Sequence, residues 1–289
     1  MNLGLRRRSD DVRARRLRKG MYILPSMFTT ANLAAGFYAI LQAMQGSIAE
    51  PWHFNVAALA IGFADFFDGM DGAIARLTHT TSDFGKELDS LADVVTFGVA
   101  PAVLAYMWGF RMLLTELDIE LRTKLLQFGG IAAFIFLAAG ASRLARFNIQ
   151  LNPQPSNPGR PGRKYFVGMP IPAGAGCIAA IVHFAVGSPI LTWWLSAIWL
   201  AFVLTLAFLM VSTWRFWSAK SIDFRSRHPF RLILLIGLFI AAIWYYSRYV
   251  LFFMALAYTL SGVLARLFYA VRRRPASPSA PTNEVSNLS

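Results

Sequence analysis

Apolar runs of about twenty residues recur along this chain, and they limit its fold more than any other feature. A helix needs roughly 20 apolar residues to cross a bilayer. Runs of that kind lie near residues 27–45, 53–76, 85–108, 127–150, 171–187, 190–211, 230–246 and 249–270. They are continuous rather than alternating, which argues against a β-barrel. Charged residues make up 15% of the chain, against roughly 25% in a soluble domain. The expected fold is all-α: a polytopic membrane helix bundle of about eight transmembrane helices.

The basic residues then orient the bundle. Net charge is +13, and its placement favours membrane topology over nucleic-acid binding, so no nucleic acid is expected as a partner. The clusters fall between and outside the apolar runs: Arg6 to Arg8 at the start, Arg160 to Lys164, Arg215 to Arg227, and Arg272 to Arg274. An even number of spans puts all of them, and both termini, on the cytoplasmic side. The loop 109–126 mixes both signs of charge and lies outside. Two short connections, Gly187-Ser188-Pro189 and Ser247-Arg248, are expected to close helical hairpins. The domain reading is a basic cytoplasmic arm at 1–22, a membrane domain at 23–271, and a Pro/Ser/Asn-rich disordered tail at 272–289. Cys177 is the only cysteine, which excludes an intrachain disulfide and a multi-cysteine metal site.

Against this apolar background stand Asp68, Asp71, Asp89 and Asp93. A carboxylate near a bilayer centre costs about 2.5–3.5 kcal/mol on the insertion scale. Asp68 and Asp71 are three apart and share one face of a helix; Asp89 and Asp93 are four apart and share a face of the next. The short polar junction Leu77–Phe84 places both pairs near the cytoplasmic ends of adjacent antiparallel helices. Four facing carboxylates repel unless cations compensate. Two divalent ions cancel the charge and suit an all-oxygen site: Mg²⁺ or Mn²⁺, with Ca²⁺ a third candidate. Two such metals can clamp an in-line displacement at phosphorus. Gly72 and Ala75 lie one turn beyond Asp68 and Asp71, where small side chains admit a bulky substrate. Arg76 ends that helix with a guanidinium suited to phosphate, and Gly85 lies one turn before Asp89. The bland alternative is that these are interfacial Asp, Arg and Gly residues of ordinary membrane helices. A divalent-cation transporter is a rival of another class. Its polar residues are expected through the depth of several spans, whereas here they crowd at one end of two.

The run Asp68-x-x-Asp71-Gly72-x-x-Ala75-Arg76, eight residues, then Gly85-x-x-x-Asp89-x-x-x-Asp93 resembles the full signature of the CDP-alcohol phosphotransferases. Three further stretches resemble the bacterial phosphatidylserine synthase branch: Leu24 to Phe37, Ala141 to Asn148 and Phe166 to Ala175. That branch usually has Asn after the proline of the first stretch, where this chain has Ser26. The resemblance implies CDP-diacylglycerol and L-serine as substrates, with phosphatidylserine and CMP as products. Glycerol 3-phosphate, an inositol phosphate or choline remain alternative acceptors. It further implies a first metal on Asp68, Asp71 and Asp89, a second on Asp71, Asp89 and Asp93, and Asp93 as the general base. Gly72, Ala75, Arg76 and Gly85 would shape the CDP pocket, with Asn32 reaching the nucleotide. A homodimer embedded in membrane lipids follows by analogy, in the bacterial inner membrane with the active site facing the cytoplasm. Arg143 and Arg146, three apart at a helix end, would suit the serine carboxylate or the donor phosphates; snorkelling to the interface is the alternative.

Overall fold

The structure, a computed structural model, describes residues 27–78, 83–113, 118–149, 165–217 and 229–272. The basic arm, most of the tail and much of the loops at 151–168 and 212–229 therefore lie outside the described residues. Among the described residues seven helices follow one another: α1 (27–45), α2 (Trp52–Thr78), α3 (Phe84–Arg111), α4 (Ile119–Ile149), α5 (Ile171–Phe184), α6 (Trp193–Val211) and α7 (Pro229–Arg272). Two three-residue strands, β1 (Tyr165–Val167) and β2 (Arg215–Trp217), pair antiparallel just before α5 and just after α6. All eight apolar runs are helical over most of their length. The last two share α7, which is interrupted by one non-helical residue, Tyr246, at φ −130° and ψ 33°. The break thus falls one residue before the expected Ser247-Arg248 connection.

Four helices among the described residues have the length and apolarity to cross a membrane: Phe84–Arg111, Ile119–Ile149, Trp193–Val211 and Gly237–Arg266. Two of the other runs fall short for identifiable reasons. The acids and the arginine of the 52–78 helix lower its hydropathy. Ile171–Phe184 has 14 residues, about 21 Å of helix.

Small residues let the helices approach. Ala39, Ala43, Ala57, Ala64, Ala100 and Ala132 are buried where helices meet, and Phe54, Phe97, Phe110 and Phe136 fill the spaces between them. Without a hydrophobic force between helices in lipid, such close backbone contact and dispersion hold a bundle together. The seam between α1 and α3 shows the limit. A Cβ on Gly36 would collide with Thr96 Oγ1 and with the Thr96 backbone, so only glycine fits. The longest packing runs are α4 along α6, α3 along α4 and α2 along α5. The outer faces carry exposed Phe, Leu, Ile and Trp side chains, as a lipid-facing surface requires.

The turn after α5 matches its expected place. Gly187 adopts φ +77°, a left-handed conformation that favours glycine. A Cβ there would collide with the Pro51 carbonyl at the start of α2. One end of the bundle is thereby closed. The other end gathers the last turns of α2, α4 and α6 with the first turns of α1, α3 and α5.

Candidate active site

The acids converge at that second end. Carboxylate oxygens of Asp68 on α2 and of Asp89 and Asp93 on α3 all lie within 4.8 Å of one another, and all three residues are partly buried. The cause is local: α2 ends where α3 begins, and the i,i+4 spacing turns Asp89 and Asp93 toward the same neighbour. Asp71, Gly72, Ala75 and Arg76 occupy the last turns of α2, but their side chains lie outside the described residues. Gly85 sits in the first turn of α3 and is partly buried.

α1 completes one wall. Asn32 is 1% exposed, and its Nδ2 donates to Asp93 Oδ1 at 3.4 Å. Its backbone carbonyl accepts from Thr96 Oγ1 at 3.0 Å, the same threonine that requires Gly36. Asn32 is therefore pinned from behind while its side chain reaches the acid. Its Oδ1 is buried without a hydrogen-bond partner. Directly after Asp93, residues Val94–Val99 form a π-helical turn. Such bulges widen the helix locally and are frequent at functional sites. Neither Thr96 nor the π turn is marked by a sequence signal.

α4 supplies the basic side. Arg143 is 7% exposed, its guanidinium lies 5.6 Å over the Phe147 ring, and its Nε is buried with no partner. The Asp93 carboxylate acts on it electrostatically. One turn later, Arg146 Nη1 donates to the Val211 carbonyl at 3.4 Å, and its Nη2 is also buried without a partner. Asn148 Nδ2 donates to Ser90 Oγ at 2.9 Å, tying the end of α4 to the acid-bearing turn of α3. Gly168 (φ +76°) follows β1, and its N–H donates to the Trp214 carbonyl at 2.8 Å. A Cβ there would meet the carbonyls of Met210 and Ser212 and crowd Arg146. This turn is part of the stretch Phe166 to Ala175.

Hard oxygen donors in threes are a fitting ligand set for a divalent cation, and the mutual distances here allow one ion to reach all three acids. The orphaned arginine nitrogens nearby are donors that a carboxylate or phosphate would satisfy. A helix bundle with such a polar end fits an enzyme that works on charged groups at a bilayer surface.

A family model described as CDP-alcohol phosphatidyltransferase matches residues 22–206. The chain belongs to that family and is a phosphotransferase. A CDP-diacylglycerol–serine O-phosphatidyltransferase of Helicobacter pylori is 31% identical over 259 residues, covering 87% of this chain and 94% of that protein. The protein of the same name from Saccharomyces cerevisiae is 35% identical over 156 residues, 54% of this chain and 51% of its own length. That of Methanocaldococcus jannaschii is 47% identical over 100 residues, 35% of this chain and 37% of its own.

Proposed function

We propose that this protein transfers the phosphatidyl group of CDP-diacylglycerol to the hydroxyl of L-serine, giving phosphatidylserine and CMP. The observation that carries the reading is the Asp68, Asp89 and Asp93 cluster beside two arginines with orphaned donors. The name shared by the relatives supports serine as the acceptor.

Asp68, Asp71, Asp89 and Asp93 are the residues to hold two divalent cations, Mg²⁺ or Mn²⁺. When bound, these supply charge stabilisation at the pyrophosphate oxygens. Gly72, Ala75 and Gly85 leave room for the CDP moiety, Arg76 pairs with its phosphates, and Asn32 offers its amide to the nucleotide. Asp93 accepts the serine hydroxyl proton as general base. The serine oxygen then bonds to the lipid-bearing phosphorus, and the bond from that phosphorus to the CMP oxygen breaks. Asn32 holds Asp93 in place during the proton transfer. Arg143 and Arg146 receive the serine carboxylate or the donor phosphates, the anions their free N–H groups lack.

The same reading puts eight spans in a bacterial inner membrane, with both termini and the acids on the cytoplasmic side, where free serine is found, and the protein as a homodimer. Purified protein with CDP-diacylglycerol, Mg²⁺ or Mn²⁺ and each alcohol in turn tests it through CMP release. Release stimulated by serine is expected. Stimulation by glycerol 3-phosphate but not serine overturns the acceptor, and metal uptake into liposomes without CMP release overturns the enzyme reading.

A further inference from the structure

The charged end of the bundle has an inner layer. α2 and α4 run toward that end, and α3 runs away from it. Asp65 therefore lies one turn inside Asp68 on α2, Asp93 one turn inside Asp89 on α3, and Arg143 one turn inside Arg146 on α4. Each step is about 4.5–6 Å along a helix axis.

Asp93 belongs to the acid cluster, and Asp65 does not. Its spacing of three from Asp68 puts both on one side of α2, and its charge acts on Asp93. Among the described residues Asp65 makes no hydrogen bond and no ion pair, and it is exposed. Lipid is a poor neighbour for such a group. An acid within a membrane helix faces the bundle interior or a wet cavity and finds a cation, and its side chain is too short to snorkel out as Lys and Arg do. The metals do not answer it. Asp68, Asp71, Asp89 and Asp93 already match the charge of two divalent ions, and Asp65 is a fifth acid.

Arg143 is the counterpart of opposite sign. It is 7% exposed, Asp93 acts on its charge, and among the described residues it has no ion pair either. Its Nε is sealed off, but its two terminal nitrogens are neither bonded nor sealed, so a ligand can reach them. The layer thus gathers one unpaired anion and one unpaired cation around the Asp93 carboxylate. A matching ligand carries a hydroxyl for Asp93, a carboxylate for Arg143 and an ammonium group for Asp65. A zwitterionic β-hydroxy amino acid has all three on neighbouring carbons. Glycerol 3-phosphate and an inositol phosphate lack the cation, and choline lacks the carboxylate.

We propose that Asp65 is a specificity-determining residue that receives the ammonium group of the acceptor serine. This role rests on the transfer reaction proposed above. It explains why an amino acid, rather than another alcohol, is the acceptor.

The purified full chain with CDP-diacylglycerol and Mg²⁺ or Mn²⁺ tests it through CMP release. L-serine is varied against L-glycerate as competitor, which puts a hydroxyl where serine has its ammonium group. Asp65→Asn should raise the serine KM about ten-fold or more, the loss of one charge-assisted hydrogen bond, with little change in the KM for CDP-diacylglycerol. The inhibition constant of L-glycerate should not rise with it, because that ligand offers Asp65 no cation. Asp65→Ser removes the charge equally and serves should the first variant fail to fold, and Asp65→Glu should restore part of the serine affinity. An unchanged serine KM in a folded neutral variant overturns the proposal. So does an equal weakening of serine and glycerate, which would assign Asp65 to the fold alone. Wild type that releases no CMP with serine overturns the transfer reading and this role together, an outcome seen before any variant is made.

Discussion

The two ends of the bundle are made by the same helices and finish their polar groups differently. At the end closed by Gly187, side chains pair across helices. His53 Nδ1 and Gln42 Oε1 lie 2.6 Å apart, His183 Nδ1 and Asn55 Oδ1 2.7 Å, and His183 Nε2 and Ser247 Oγ 3.0 Å. Ser196 Oγ donates to the Gly109 carbonyl at 2.7 Å. At the acid end the books stay open. Of five buried side-chain atoms without partners among the described residues, three are there: Asn32 Oδ1, Arg143 Nε and Arg146 Nη2. Three carboxylates crowd together beside them. The first end keeps two orphans of its own, Trp108 Nε1 and Arg122 Nε, but pairs its other polar groups; at the acid end the orphans stand beside clustered carboxylates and leave it poised for ligands, at a cost in stability.

That contrast can be broken most sharply at Asp93. Asp93→Asn should lower serine-dependent CMP release by about 100-fold or more, the range for a lost general base. Thermal melting without metal should hold or rise, because one of three clustered like charges is gone. Full turnover would remove Asp93 from the chemistry. A smaller effect is expected at Arg143. Arg143→Ala should raise the serine KM about ten-fold or more, as for a lost charge-assisted hydrogen bond, with less change in the KM for CDP-diacylglycerol. Steady-state kinetics with each substrate varied in turn separates the two, and unchanged values for both would exclude it from the site. The mildest outcome belongs to the opposite end. His183→Ala should destabilise the fold by about 1–3 kcal/mol, since it strands Asn55 and Ser247, and leave both KM values alone. Denaturation in detergent measures the first and the CMP assay the second.

Much of the acid end was legible beforehand because helix geometry is local. Spacings of three and four residues set a common face whatever the neighbours do, so Asp68 could be matched with Asp89 and Asp93 before any packing was known. Arg143 and Arg146 were legible as a pair for the same reason, and Gly187 as a turn. Contacts between distant segments were not. That Asn32 reaches Asp93 depends on the α1–α3 seam, where Gly36 admits Thr96. The β1–β2 ribbon joins stretches some fifty residues apart with only three residues each, too short for an alternating pattern to stand out. The break in α7 falls at Tyr246 without a glycine or proline to announce it. The orphaned Trp108 N–H is invisible in a sequence where tryptophans simply flank apolar runs.

The wide turn after Asp93 has a consequence for length. A π turn amounts to one extra residue set into an α-helix. Deleting a residue between Val94 and Val99 would restore ordinary winding and give a more regular rod. Because the wide turn absorbs that extra residue, the segments on either side would keep their relative orientation, and Asp89 and Asp93 would still face α2. What a shortened variant would give up is the wide turn itself, in which Thr96 bonds the Asn32 carbonyl and packs on Gly36.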